Sequence, residues 1–301
     1  MAADRSDPVV QQLIALGERH DQIRAVILTS TRSTGACDVL SDYDVELYVT
    51  DPARFASSDE WFESFGPVLV LRRLPTDEEA DPSFVRLVQY QDGLRIDFLV
   101  ATLARLHGLC EAPVLDADHD VGYEVLLDKD GVTASLSPPT YRAYLQTPPS
   151  EAEYAECVNG FWWNTTYVPK CLWRGDVLAA LFMLDGQKHH SLRSMLIWTI
   201  EVDHNWTWQP GMMGKGIEHM LDAATGRELA AISTEDTWQA LFRTAALFRK
   251  AGTKVAQRLG YTYPVEQDER IIAYWQTIRA LDRQVASRDE LARRLRESDG
   301  E

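Results

Sequence analysis

The chain has 301 residues, 45% hydrophobic and 25% charged, which suits one large or two ordinary domains and excludes a disordered polypeptide. Its formal net charge of −16 disfavours binding to phosphate backbones, so no nucleic-acid partner is expected. The acidity is uneven: residues 1–150 hold 25 acidic and 12 basic side chains, against 21 and 18 in the remainder. A partner drawn to that N-terminal field is cationic or arrives with a metal, and the plainer reading is a solubilising acidic surface. Cys37, Cys110, Cys157 and Cys171 lie far apart with no C-x-x-C spacing, which argues against a zinc site or a disulfide framework. The first ten residues lack the order of a signal peptide, and no apolar run reaches the ~18 residues of a membrane span. A cytoplasmic protein with no membrane partner is expected.

Asp7-Pro8 reads as an N-cap followed by a first-turn proline, opening a helix with Val9, Val10, Leu13, Ile14 and Leu16 at helical spacing. Residues 25–28 form a short apolar run, a buried strand. A polar loop over 29–41 follows, and then 44–49 alternates apolar and polar as a half-buried strand does. Residues 68–74 are a further strand. Runs 84–90 and 94–100 flank Gln91-Asp92-Gly93 and read as a hairpin. From Leu136 the texture changes: Pro138-Pro139 and Pro148-Pro149 bracket a linker-like stretch, beyond which the pattern is helical. Ser233, with Asp236 three residues on, reads as the cap of a helix that stops at Gly260, and a last helix is expected over 269–283. The sum is a mixed α/β (α+β) domain over residues 1–137 and an all-α domain over residues 138–301.

Chemistry concentrates where the polar loop enters the second strand. In an extended chain residues i and i+2 share a face, so Asp42 and Asp44 point the same way and can share a hard cation such as Mg²⁺. Asp97 sits in an otherwise apolar strand, with Ile96, Phe98 and Val100 on one side and Arg95, Asp97 and Leu99 on the other. An aspartate there is costly unless it is solvated, paired or metal-bound. If the two strands are neighbours, three carboxylates converge in the layout of two-metal phosphoryl chemistry. Taken alone, D-x-D reads more readily as a solvated strand entrance, and Glu46 as a solvated face residue; joined to the hydroxyl-rich loop and the later strand acid, the functional reading overtakes it.

Ser30-Thr31-Arg32, followed after a short loop by Asp42-Tyr43-Asp44, resembles the G-S…D-x-D signature of the polymerase-β-type nucleotidyltransferases. More closely, the chain resembles the aminoglycoside 6-adenylyltransferases, or streptomycin adenylyltransferases. The resembling blocks include Ile23-Arg24-Ala25-Val26-Ile27-Leu28, Arg95-Ile96-Asp97, Leu126-Leu127-Asp128-Lys129-Asp130-Gly131, Phe161-Trp162-Trp163, Tyr167-Val168-Pro169-Lys170 and Gly214-Lys215. They follow in order from about residue 20 to about residue 220. The resemblance implies a nucleotidyltransferase domain with a mixed sheet, then a helical domain. It also implies Mg²⁺-dependent transfer of AMP from ATP to a hydroxyl of an aminoglycoside, with release of pyrophosphate. Under it Asp42, Asp44 and Asp97 hold the metals, and Asp97 alternatively takes the acceptor's proton. Ser30, Thr31, Arg32 and Lys170 then serve the nucleotide.

One departure concerns the loop, where the family has Gly-Ser-Arg. Here Ser30 stands at the glycine position, where a glycine lets backbone amides approach a triphosphate, and Thr31 keeps the hydroxyl. In the helical half, Trp163, Tyr167, Lys170 and Arg174 recur at helical spacing and put aromatic and basic groups on one face, with core packing as the plainer reading of the tryptophans. His189-His190 reads as a helix-end surface pair. Glu201 and Asp203 read either as partners for a cationic antibiotic or as ordinary surface charge. Two other functions stay open: a same-fold transferase with another acceptor (a lincosamide, another aminoglycoside or a protein hydroxyl), and a catalytically inactive nucleotide-binding regulator.

Overall fold

The computed structural model describes residues 5–29, 32, 37–75, 82–233, 236–282 and 293. It divides into two compact units, Met1–Tyr144 and Leu145–Glu301. The stretch just before that division is tied to the first unit: Asp120 accepts from the backbone N–H of Thr140 at 2.6 Å and of Arg142 at 3.1 Å.

In the first unit, helix α1 (Pro8–Arg19) starts as anticipated, with Asp7 Oδ1 accepting from the Val9 N–H at 2.8 Å. Strands β1 (Ile23–Thr29) and β2 (Tyr43–Val49) follow, then the short helices α2 (Pro52–Ala56) and α3 (Glu60–Glu63). After them come β3 (Val68–Pro75), β4 (Phe84–Tyr90), β5 (Arg95–Thr102), α4 (Leu103–Glu111), α5 (Ala117–Asp120) and β6 (Tyr123–Asp128). Gly93, at φ +96°, makes the β4–β5 turn, a backbone angle that side chains disfavour. The six strands form one sheet in the order β3-β4-β5-β2-β1-β6, and only β2 and β5 pair in parallel among the described strands.

The sheet is covered unequally. One face carries Val26, Leu28, Val45, Leu47, Phe98 and Val100 beneath α1 and the aromatic cluster Phe55, Trp61, Phe62 and Phe65. The opposite face has a smaller core of Ala25, Ile27, Tyr48, Ala101 and Leu106. Strand β2 is therefore buried on both sides from Val45 onward, and it is half-open only at its start. This corrects the half-buried reading of 44–49: the sheet order places the strand near the centre, where both faces are covered.

The second unit is helical in all its described regular elements apart from turns. Its helices are α6 (Glu151–Thr165), α7 (Tyr167–Arg174), α8 (Val177–Gln187), α9 (Arg193–His204), α10 (Ile217–Met220), α11 (Ala223–Ile232), α12 (Thr237–Leu259) and α13 (Val265–Ala280). A π turn at Lys188–Leu192 joins α8 to α9, so the exposed His189 and His190 lie inside a continuous helical run rather than at its end. Asp236, not Ser233, caps α12: its carboxylate accepts from the N–H of Trp238 at 2.9 Å and of Gln239 at 3.2 Å. Ser233 instead ends α11, its hydroxyl donating to the Ala230 carbonyl. Helix α13 starts four residues earlier than its pattern suggests, because Glu266 and Asp268 belong to its first turn, and it ends at Ala280. Arg283, the anticipated last residue, lies outside the described residues.

The core of this unit is aromatic. Phe161 stacks on Phe248 with ring centroids 3.8 Å apart, and Trp162 and Trp275 meet at 5.7 Å. A polar chain runs through the packing: Trp162 Nε1 donates to the Tyr263 hydroxyl at 3.2 Å, which donates to Asp268 at 2.9 Å, and Asp268 pairs with Arg249. Asp268 is fully buried, whereas Arg249 reaches the surface. Arg249→Ala is expected to destabilise the protein by about 3–5 kcal/mol, since it leaves a buried carboxylate without its cation. Arg249→Ala combined with Asp268→Asn should recover part of that loss in urea unfolding.

Candidate active site

The sheet order brings the anticipated carboxylates together. Strand β5 lies beside β2 with Asp44 opposite Asp97, so both side chains leave the thinly covered face at the open end of the pair. Asp42 stands just before β2. Arg95, two residues before Asp97 on the same side of β5, gathers the group: its guanidinium donates to Asp97 at 2.8 and 3.0 Å and lies 3.4 Å from Asp42. The Asp97 hydrogen bond is the main reason that the Arg95 pKa rises. Sequence reasoning placed Arg95 on this face without assigning it a role.

Arg32 organises the approach to β2. It donates to the carbonyl of Ser41 at 2.7 and 3.1 Å and of Asp42 at 3.2 Å, and its guanidinium lies 3.7 Å above the Tyr43 ring. It also lies 3.6 Å from Asp7, which accepts from the Tyr43 hydroxyl at 2.7 Å. The described contacts of Arg32 thus fix the backbone that presents Asp42. Ser30 and Thr31 lie outside the described residues. Lys170 belongs to the second unit, where its ammonium sits 5.0 Å over the Tyr167 ring. Trp162 is wholly buried and Trp163 is 67% exposed, so core packing accounts for the first and not the second.

Glu46, expected to be solvated, is buried and paired. It accepts from the Tyr48 hydroxyl at 2.7 Å and from His119 Nε2 at 3.0 Å, while His119 Nδ1 donates to Asp116 at 2.8 Å. The sequence hid this because α5, which brings His119 over the sheet, is only four residues long. The one signal was a histidine set among acids in Asp116-Ala117-Asp118-His119-Asp120. Burial alone would lower the His119 pKa, but the hydrogen bonds and charges of Glu46 and Asp116 outweigh it and push it up to about 9.

Glu201 and Asp203 fall inside α9. Asp203 pairs with Lys254 at 2.5 Å and Arg258 at 2.6 Å, whereas Glu201 is fully buried, and burial raises its pKa.

Among the described residues no three His, Cys, Asp or Glu side chains form a ready metal cage. The donor chemistry nevertheless suits a hard divalent cation: Asp42, Asp44 and Asp97 offer only carboxylate oxygens, and a guanidinium already bridges two of them.

The family model for streptomycin adenylyltransferase matches residues 5–278. The chain belongs to the streptomycin adenylyltransferase family. Aminoglycoside 6-adenylyltransferase of Bacillus subtilis (strain 168) is 30% identical over 269 residues, covering 86% of this chain and 92% of that protein. Aminoglycoside 6-adenylyltransferase of Campylobacter jejuni is 29% identical over 281 residues, 90% and 94% of the two chains. A crystal structure of an aminoglycoside 6-adenyltransferase from Bacillus subtilis aligns with a TM-score of 0.43 at 23% identity, covering 90% of this chain and 98% of that one. The family is one of nucleotidyltransferase enzymes, in keeping with an N-terminal mixed sheet and a C-terminal helical region. Among the described residues no helix is long and apolar enough to cross a membrane.

The raised His119 pKa carries a stability prediction. The folded state keeps the proton up to about pH 9, whereas the unfolded chain releases it near 6.5. The stabilisation is complete below the lower value and is lost as pH rises through the upper one. Melting temperatures of the native chain and of His119→Gln should therefore differ most below pH 6.5 and converge by about pH 9.5. A gap independent of pH would contradict the charged state.

Proposed function

We propose that the enzyme transfers AMP from ATP to a hydroxyl of an aminoglycoside, with streptomycin the first candidate, and releases pyrophosphate. The observation that carries the reading is the pairing of Asp44 with Asp97 on one sheet face, beside Asp42, in a chain of this family. Asp42, Asp44 and Asp97 would hold Mg²⁺. Bound there, the ion would compensate the triphosphate charge and polarise the α-phosphorus.

The residues divide the remaining work. As the alternative to holding the ion, Asp97 would accept the proton that the acceptor hydroxyl loses as its oxygen attacks the α-phosphorus. The attack forms the new P–O bond, breaks the bond to the bridging oxygen and sends its electrons out with pyrophosphate. Arg32 keeps Asp42 presented, and Ser30, Thr31 and Lys170 are assigned to the nucleotide. The acidic N-terminal half favours a polycationic acceptor over a neutral one. It also disfavours a nucleic-acid partner. An inactive regulator is the poorer reading: it rests on Ser30 alone, while all three acids are present.

Mass spectrometry of streptomycin after incubation with the protein, ATP and Mg²⁺ should find the antibiotic heavier by one adenylyl group. Transfer to another aminoglycoside alone would move the acceptor, and no transfer to any would favour the regulator. Asp97→Asn should lower turnover by about 10²–10⁴-fold, the contribution of a positioned acid–base group, with ATP affinity changed only a few-fold. Equal losses in both would make Asp97 part of the nucleotide site instead.

A further inference from the structure

Glu46 follows Asp44 at i+2 on β2, so its side chain leaves the same thinly covered sheet face as Asp44 and Asp97. Like charges so placed repel, and a flexible glutamate beside a divalent-cation site is a ready extra ligand. Yet Glu46 is turned away from that role. Its Oε2 is held by two donors, the Tyr48 hydroxyl at 2.7 Å and His119 Nε2 at 3.0 Å. The clamp is anchored from outside the sheet. Asp116 caps α5, accepting from the His119 N–H at 3.0 Å, and the same oxygen takes the ring Nδ1 proton at 2.8 Å. Both His119 and Glu46 are at most 9% exposed. Tyr123 meets the imidazole edge-on with ring centroids 6.2 Å apart.

We propose that His119 is a positioning residue of the active site: clamped between Asp116 and Glu46, it withholds Glu46 from the neighbouring aspartates, so that three carboxylates rather than four face a divalent cation. The inference rests on the cation reading of Asp42, Asp44 and Asp97 given above. A purely structural ion pair would fasten α5 to the sheet and leave cation affinity alone. A withholding clamp predicts that releasing Glu46 adds a ligand, which tightens the cation and misplaces it for chemistry.

The test uses Mn²⁺ as probe, titrated into the full-length protein without nucleotide and followed by electron paramagnetic resonance, alongside turnover and KM for ATP. His119→Gln should bind Mn²⁺ about tenfold more tightly, since affinity at oxygen sites follows ligand charge, and turn over about tenfold more slowly at an ATP KM within a few-fold of the native value. Glu46→Gln, and the double variant with His119→Gln, should both show native Mn²⁺ affinity, because the charge to be withheld is gone. Native affinity and turnover in His119→Gln would overturn the proposal. So would tightening that persists in the double variant. Should His119→Gln fail to fold, Glu46→Gln still decides: a severalfold change in its Mn²⁺ affinity would make Glu46 a ligand already. Asp44→Asn tests the cation site apart from the clamp. Loss of Mn²⁺ binding supports the cation site, and native binding would remove that site and the clamp's purpose with it.

Discussion

The parallel pairing of β2 with β5 is the constraint on which the site depends. A parallel neighbour cannot follow through a tight turn, so the chain makes β3 and β4 before β5 returns to lie beside β2. Only then does Asp97 stand opposite Asp44. A slip of one residue would set Ile96 or Phe98 there and turn Asp97 into the aromatic core on the other face. The register is held by that core, where Val45, Leu47, Phe98 and Val100 are all buried.

Acid concentrated in this way needs local cations, and each described one has a separate task. Arg95 joins Asp42 to Asp97 across the strand pair. Arg32 spends its donors on the backbone before β2, which fixes where Asp42 begins. His119 lies deeper and holds Glu46. Because burial weakens screening, the His119–Glu46 pairing matters more than an ion pair on an exposed surface would. The second unit uses the same device in the buried Asp268 that Arg249 and Tyr263 satisfy.

Much of this was legible in the sequence because it rests on short-range rules. The i, i+2 placement of Asp42 and Asp44, the capped start at Asp7-Pro8 and the Gly93 turn each follow from a few adjacent residues. The convergence of Asp97 was legible only as a condition, since strand order is not local. Glu46 was misread because its burial comes from α5, more than seventy residues away and too short to show periodicity. Ser233 lost the cap to Asp236 for a simpler reason. Both are good capping residues, and one lay at the end of the preceding helix.

Asp42, Asp44 and Asp97 are proposed to form a divalent-cation site for nucleotide chemistry. Its most direct test is a crystal structure with Mn²⁺ and a non-hydrolysable ATP analogue, read by anomalous scattering. A manganese peak is expected at ligand distance from these carboxylates, with the Arg95 guanidinium displaced from between Asp42 and Asp97. Manganese bound elsewhere, with Arg95 still bridging the two aspartates in the presence of the nucleotide, would contradict it.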